Sequence, residues 1–332
     1  MDTQVAVAKR VGVTRYAKPF FFVLLLLVLA LFPQLSPPGY WRSVLIEVLI
    51  FGIFAMSLDL LLGYTGMISF GHAMFFGAGA YIVGWVGMHI SQHIVVTLGA
   101  ALIGAAILAV AVGYISIRTS GVYFLMLTLA FSQMLYAIAH QWTWLTGGSN
   151  GMAGIPRPVF DIFGAANISF GKVTNFYYLV LVFFALSALL MYRIINSPFG
   201  RTLIGIRENE NRMRAVGYNT RSFKLAVFVI AGVFGSLAGA LYGYYNGFIS
   251  PQELYWTMSG QVMIMVIMGG AGTLAGPVLG AGVMLLLQNM VSSLTERWPM
   301  IMGVIFILFV LVARKGIAGL ATDIWMKVGR RP

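Results

Sequence analysis

The chain has 332 residues, 60% of them hydrophobic and only 9% charged, with a mean hydropathy of +0.89. Soluble domains carry about 25% charged residues, so this composition excludes a soluble globule and describes a polytopic membrane protein. The net charge of +12 does not point to nucleic acid, because the basic residues gather at the ends of apolar segments, and the absence of cysteine excludes disulfides and thiolate chemistry.

A basic stretch, 1–18, holds Lys9, Arg10, Arg15 and Lys18 and precedes the apolar run Phe20–Phe32. This resembles a signal peptide, but Pro33-Gln34-Leu35-Ser36-Pro37-Pro38 offers no small-x-small cleavage site, so the run reads as a retained first span. About 20 apolar residues cross the hydrocarbon core. On that measure the expected spans are 19–35, 43–62, 72–89, 94–115, 121–140, 176–195, 223–246, 258–268, 277–292 and 299–314. The eighth is short and is expected to run on into the glycine-rich turn after it. Ten spans put both termini on one side, with 17 of the 21 basic residues, and leave only Arg42, Arg157, Lys172 and Arg297 on the other. The positive-inside rule makes the first side cytoplasmic. The expected fold is an all-α membrane helix bundle forming one domain over 1–332. It has a cytoplasmic N-terminus (1–18), a periplasmic loop (141–175), a cytoplasmic loop (196–222) and a cytoplasmic tail (315–332).

Along the chain, Glu47 and Asp59 are the acids placed within spans, both on the second. Twelve residues apart, they lie about 18 Å apart along a helix and cannot form a catalytic pair. Each needs a polar partner or water, and a proton relay through either is an open alternative. Next comes a glycine-rich break, Gly63-Tyr64-Thr65-Gly66-Met67-Ile68-Ser69-Phe70-Gly71-His72, answered by Gly269-Gly270-Ala271-Gly272-Thr273-Leu274-Ala275-Gly276-Pro277. Non-helical backbone at membrane depth must be buried in protein or line a water-filled cavity, and paired breaks point to a transport path. Tyr64, Thr65, Ser69, Phe70, Gly71, His72, Gly269, Gly270, Gly272 and Thr273 are therefore candidate path residues; close helix packing by the glycines is the other reading. His89 and His93 are spaced i, i+4 without an acidic third ligand nearby, and no metal is expected. In the 141–175 loop, Trp142 and Trp144 suit an interfacial aromatic belt, and Thr146-Gly147-Gly148-Ser149-Asn150-Gly151 is a turn-forming cluster.

The longest polar interval, Arg193 to Lys224, holds a third of the basic residues. Ser197 is a good N-cap, Pro198 suits the first helical position, and Gly217 suits a left-handed end. Leu203, Ile206, Met213 and Val216 keep helical spacing between them, predicting one short helix outside the membrane. It is a plug for a groove in a partner, or a solvated loop that fixes topology. The second glycine stretch lacks the Gly-Lys-Ser/Thr ending of a phosphate loop, and no nucleophile, histidine and carboxylate grouping stands out. The chain alone is not read as an enzyme, and no cofactor is called for.

Six motifs in order resemble the permease subunits of branched-chain amino acid ABC transporters, specifically the M-type member of the pair. They are GYTGMISFGHAMFFGAGAY (63–81), SGVYFLMLTLAFSQML (120–135), TGGSNGMAGIP (146–156), SPFGRTLIGIRENENRMRAVGYNTRSFKL (197–225), AGALYGYYNGFISPQ (238–252) and MVIMGGAGTLAGPVLGA (265–281). The resemblance implies an importer of leucine, isoleucine and valine in the inner membrane. Its partners would be a second permease subunit, two cytoplasmic ATPases and a periplasmic amino-acid-binding protein. The helix at 198–216 would be the coupling helix, with Arg201, Arg207, Glu208, Asn209, Glu210 and Arg214 facing an ATPase. Asn209 stands where the family tends to carry an acid. Gly147, Gly148 and Asn150 would meet the binding protein. Relatives also carry urea, other amino acids and short amides. A proton-coupled secondary transporter is the reading from another class.

Overall fold

A computed structural model describes residues 28–34, 39–161, 167–312, 316–317 and 319. The expected first span falls mostly outside them, as do residues 1–18 and nearly all of 315–332. What is described of it, α1 (28–34), lies against α7, where Tyr177 and Tyr178 donate their hydroxyls to the Leu29 and Ala30 carbonyls at 2.7 and 3.2 Å. The main helices are α2 (Tyr40–Thr65), α3 (Ala73–His89), α4 (Ile94–Ser116), α5 (Val122–Gln141), α7 (Val173–Asn196), α8 (Pro198–Ala215), α9 (Thr220–Asn246), α10 (Trp256–Gly269), α11 (Ala275–Ser292) and α12 (Trp298–Val312). The fold is an all-α membrane bundle. Among the described residues, six helices (α2, α4, α5, α7, α9 and α11) are long and apolar enough to cross a membrane; α3, α10 and α12 are shorter apolar helices.

The connections gather at two ends. At one end lie α8, the two glycine breaks and the turn after α4. The other end holds Gln92, whose carbonyl accepts from Val159, and the short helix α6 (Thr143–Thr146). It also holds β1 (Met152–Ala153), paired antiparallel with β4 (Phe248–Ile249), and the hairpin of β2 (Val159–Asp161) with β3 (Asn167–Ser169). Arg42 and Arg157 lie at this far end, bonded to Thr174 and to the Gly171 carbonyl.

Helix α10 corrects one expectation. It takes its extra residues at its start, from Trp256, and stops at Gly269 instead of running through the glycine turn. The fourteen-residue helix is about 21 Å long. A 3₁₀ turn, Pro251–Leu254, leads into it, with Pro251 and Leu254 buried against α3 and α5.

α2, α3 and α9 form the centre. Gly239 on α9 lies so close to α3 that a Cβ there would fall 1.8 Å from the Phe76 carbonyl oxygen, and one on Gly79 would fall 2.2 Å from that of Ser236. Backbones this near leave no room for a methyl group. Phe54, Phe75, Phe76 and Phe228, each fully buried, fill the space around the contact. Overpacking such a seam costs about 1–3 kcal/mol. Gly239→Ala is therefore expected to lower the melting temperature in detergent. Gly99→Ala, with no atom within 4 Å of the new methyl, should hold or raise it.

Candidate functional site

The α8 segment begins as its sequence dictates: the Ser197 hydroxyl accepts from the Gly200 amide at 3.3 Å and Pro198 opens the first turn. The end is also as expected, with Gly217 at φ +95°. Between them the structure departs from one continuous helix. Asn209 has φ −160° and ψ 97°, so the segment is two helices meeting at a kink. The Asn209 side-chain oxygen accepts from the Arg212 amide at 2.9 Å, which makes it the N-cap of the second piece. The apolar stripe divides with it. Leu203 and Ile206 are 1% and 4% exposed, whereas Met213 is half-buried and Val216 is 71% exposed.

Each piece has its own anchor. From the first, Arg207 donates to the Gly63 carbonyl at the first glycine break. The neighbouring Gly272 amide, in the second break, donates to Asp59 Oδ1 at 2.8 Å. A Cβ on Gly63 would lie 2.0 Å from that oxygen and 2.2 Å from the Gly272 nitrogen, so glycine is required there. Asp59 is 1% exposed, and its charge and that of Arg207 attract. The two breaks, 213 residues apart at the Asp59–Gly272 bond, thus meet beside α8.

The second piece is held through Glu210. Its carboxylate pairs with Lys224 on α9 and with Arg214 at 2.5 Å, and accepts from the Thr220 hydroxyl at 3.0 Å. Thr220 accepts in turn from Arg214 Nε at 3.0 Å. Burial alone would raise the Glu210 carboxyl. The Lys224 hydrogen bond and charge, with the Arg214 and Thr220 hydrogen bonds, hold it below the ordinary carboxylate value.

A cavity of about 290 Å³ opens between these anchors, lined by Thr65, Gly66, Ser120, Asn209, Glu210 and Lys224 among others. It brings one candidate path residue, Thr65, to the candidate coupling residues Arg207, Glu208, Asn209 and Glu210. Arg201 stands apart, at an open groove with Phe199, Tyr218 and Phe223. The other path candidates are scattered. His72 is fully buried, 2.7 Å from the Ser57 hydroxyl and stacked on Phe54. Tyr64, Ser69, Gly71, Gly269 and Gly270 are buried too; Phe70 and Gly272 are half-buried and Thr273 is exposed. Packing accounts for several of the glycines: a Cβ on Gly269 would meet the Gly276 carbonyl at 1.9 Å. At the far end, Gly147 and Gly148 have φ +78° and +61°, so glycine there serves the turn, and of this trio only Asn150 is exposed. His89 ends α3 and His93 caps α4, so their spacing does not fall on one helical face. Sequence reasoning missed Lys224 as a buried ion-pair partner and Glu253 in the turn Pro251–Leu254. Lys224 falls at the start of the expected span 223–246, and Glu253 in the link between that span and the next.

A multi-pass membrane bundle with paired backbone breaks clamped to an extramembrane helix belongs with membrane transporters. The chain is a member of the family described as the permease component of branched-chain amino acid transport systems, whose model matches residues 40–313. It is 25% identical to the high-affinity branched-chain amino acid transport system permease protein LivM of Escherichia coli, over 92% of this chain and 76% of that one. It is 28% identical to a probable LivM of Methanocaldococcus jannaschii over 69% of this chain and 74% of that one. To the LivH permease protein of Salmonella typhimurium it is 26% identical over 81% of this chain and 91% of that one. No solved structure matches.

Two measurements test the anchors. Asp59→Ala leaves the Gly272 amide unpaired, at a cost of about 1–3 kcal/mol, so hydrogen exchange in 269–277 should quicken by about tenfold. Unchanged exchange would show that the bond does not hold the break. The depressed Glu210 pKa stabilises the α8–α9 contact at every pH above the unfolded carboxylate range, and that stability is lost as pH falls through the lowered folded value. A spin label at exposed Val216 should stay restrained through the ordinary carboxylate range and loosen only below it. In Glu210→Gln it should be loose throughout.

Proposed function

We propose that this chain is the membrane-spanning permease of an ABC importer for branched-chain amino acids, and that α8 is its coupling helix. The observation that carries the reading is the pair of anchors on α8: Arg207 to the two glycine breaks, and Glu210 to the foot of α9. A soluble motor pressing on α8 would move both at once, the rigid-body kind of switch. The relatives' printed names supply the cargo class. Likeness to LivM and LivH alike supports pairing with a second, related permease subunit. ATP hydrolysis then belongs to two separate ATPases, and this chain does no chemistry of its own.

In this reading the protein lies in the inner membrane with ten spans and both termini cytoplasmic, α8 on the cytoplasmic side and the 141–175 loop on the periplasmic side. Asn150, Ser149 and the exposed Trp142 and Trp144 are then the surface for a periplasmic binding protein. Arg201, Ile204, Glu208 and Arg212 are the exposed face of α8 for the ATPase. The 290 Å³ cavity lies on the cytoplasmic side of the route.

The test is uptake of radiolabelled leucine into vesicles, with binding protein and ATPases supplied or withheld. Uptake is expected to need both and to survive an uncoupler. Uptake driven by a proton gradient without ATPases would overturn the reading in favour of a relay through Asp59 or Glu47. Glu210→Lys, which sets like charges against Lys224 and Arg214, should cut uptake at least tenfold while leaving the amount of protein in the membrane unchanged. Ser197→Ala removes a cap worth about 0.5–2 kcal/mol and should have a smaller effect in the same direction.

A further inference from the structure

A second polar cluster lies at the far end of the bundle, away from α8. Its centre is Glu253, half-buried in the turn Pro251–Leu254, whose ends Pro251 and Leu254 are buried. That turn is pinned from two sides: Ser132 on α5 donates to the Leu254 carbonyl at 2.6 Å, and Ser250 accepts from the Gln252 amide at 3.3 Å. α3 presses on it as well, because a Cβ on Gly77 would meet the Leu254 side chain at 2.5 Å and its amide nitrogen at 3.2 Å. Glu253 is thereby held in place.

Around its carboxylate stand hydroxyls and a second acid. Tyr242 on α9 donates to Glu253 Oε1 across a long 3.5 Å, and Asn246, one turn further along, is in hydrogen-bond reach of the same Tyr242 hydroxyl. Tyr81 lies one turn beyond Gly77 on the α3 face that meets the turn. It is 8% exposed, and its hydroxyl has no hydrogen-bond partner among the described residues, although Glu253 is within electrostatic reach. Glu47 on α2 acts electrostatically on Tyr242 from another side. Arg157 is the cation felt in this region; it reaches Tyr245 and bonds the Gly171 carbonyl. Among the described residues Glu253 has no ion pair, since the two that exist both belong to Glu210. Burial pushes its carboxyl up to about 7 against the opposing pull of Tyr242.

We propose that Glu253, Tyr242 and Tyr81 form a binding site for a primary ammonium group, the head group of an amino acid cargo entering from the far end of the bundle. The chemistry matches donor for acceptor. A primary ammonium offers three N–H donors and no acceptor, and here it finds one carboxylate and two phenolic oxygens, one of them unpartnered. A bound cation restores the charge balance that burial denies Glu253. Glu47, which acts on Tyr242 from α2, is a second acid at the edge of the cluster. The flanking rings (Tyr136 against Tyr255 at 4.8 Å, Tyr255 against Trp256 at 6.0 Å) are an apolar surface beside the head-group site. The proposal rests on the transport reading above but is tested apart from it.

The experiment uses the full chain in lipid nanodiscs, with tryptophan fluorescence as readout and methylammonium chloride, sodium chloride and leucine as probes. Methylammonium and leucine are expected to give a saturable response in the wild type. In Glu253→Gln the half-saturating concentration should rise at least tenfold, and in Tyr81→Phe about threefold. No saturable response in the wild type, or one unchanged in Glu253→Gln, overturns the site. A sodium response equal to that of methylammonium overturns the ammonium assignment in favour of an alkali cation. Leucine uptake by the assembled wild-type importer, run in parallel, separates the two failures: uptake without a nanodisc response discards the site and keeps the importer. Melting temperatures of both variants within a few degrees of the wild type show that the loss is of binding and not of fold.

Discussion

Everything at the α8 end depends on one constraint: backbone groups that leave helical geometry inside a membrane must find partners within the protein. Two stretches of this chain do so, and each supplies what the other lacks. The second break offers the Gly272 amide, and the second helix offers Asp59 to receive it. The first break offers the Gly63 carbonyl, and α8 offers Arg207 to satisfy it. A buried carboxylate and a guanidinium thus hold together the two glycine backbones where they leave regular helix. Remove either side and a backbone group at the junction loses its partner within the protein.

The same constraint explains how α8 is built. A segment lying outside the bundle would be only marginally stable alone, since the kink leaves two pieces each shorter than the about 12–15 residues an isolated helix in water needs. It is held by Leu203 and Ile206 in its first piece and by ion pairs in its second. The kink at Asn209 lets the two pieces answer to different parts of the bundle. The first follows the breaks and the second follows α9.

Much of this was legible in the sequence, and the limits are instructive. Long apolar runs locate α2 to α5, α7, α9 and α11 because hydrocarbon demands them. Ser197, Pro198 and Gly217 mark the limits of α8 because capping is local chemistry. The Asn209 kink was not legible, since the residues around it keep a helical rhythm and the cap shows only once the Arg212 amide is in place. The bond from Asp59 to Gly272 joins residues 213 apart and leaves no local trace. His72 drew attention as a break residue and proved to be sealed against Ser57 and Phe54. Glu253 lies in the short link between two expected spans; its position is set by α3 and α5, which no local pattern encodes.

The α3–α9 seam has a mechanical corollary. α9 has 27 residues and is about 40 Å long, more than the thickness of the hydrocarbon core. Lys224 and Thr220 sit at its foot and Tyr242 near its head, while backbone-to-backbone contact at Gly239 and Gly79 fuses it to α3. Such a pair is a strut. A tilt imposed where Glu210 grips it displaces the Tyr242 end as well, and because α3 carries Tyr81 and also presses on the turn that holds Glu253, all three side chains are coupled to the same strut. A push at the foot would thus reach the far-end cluster with no relay of side chains required between them.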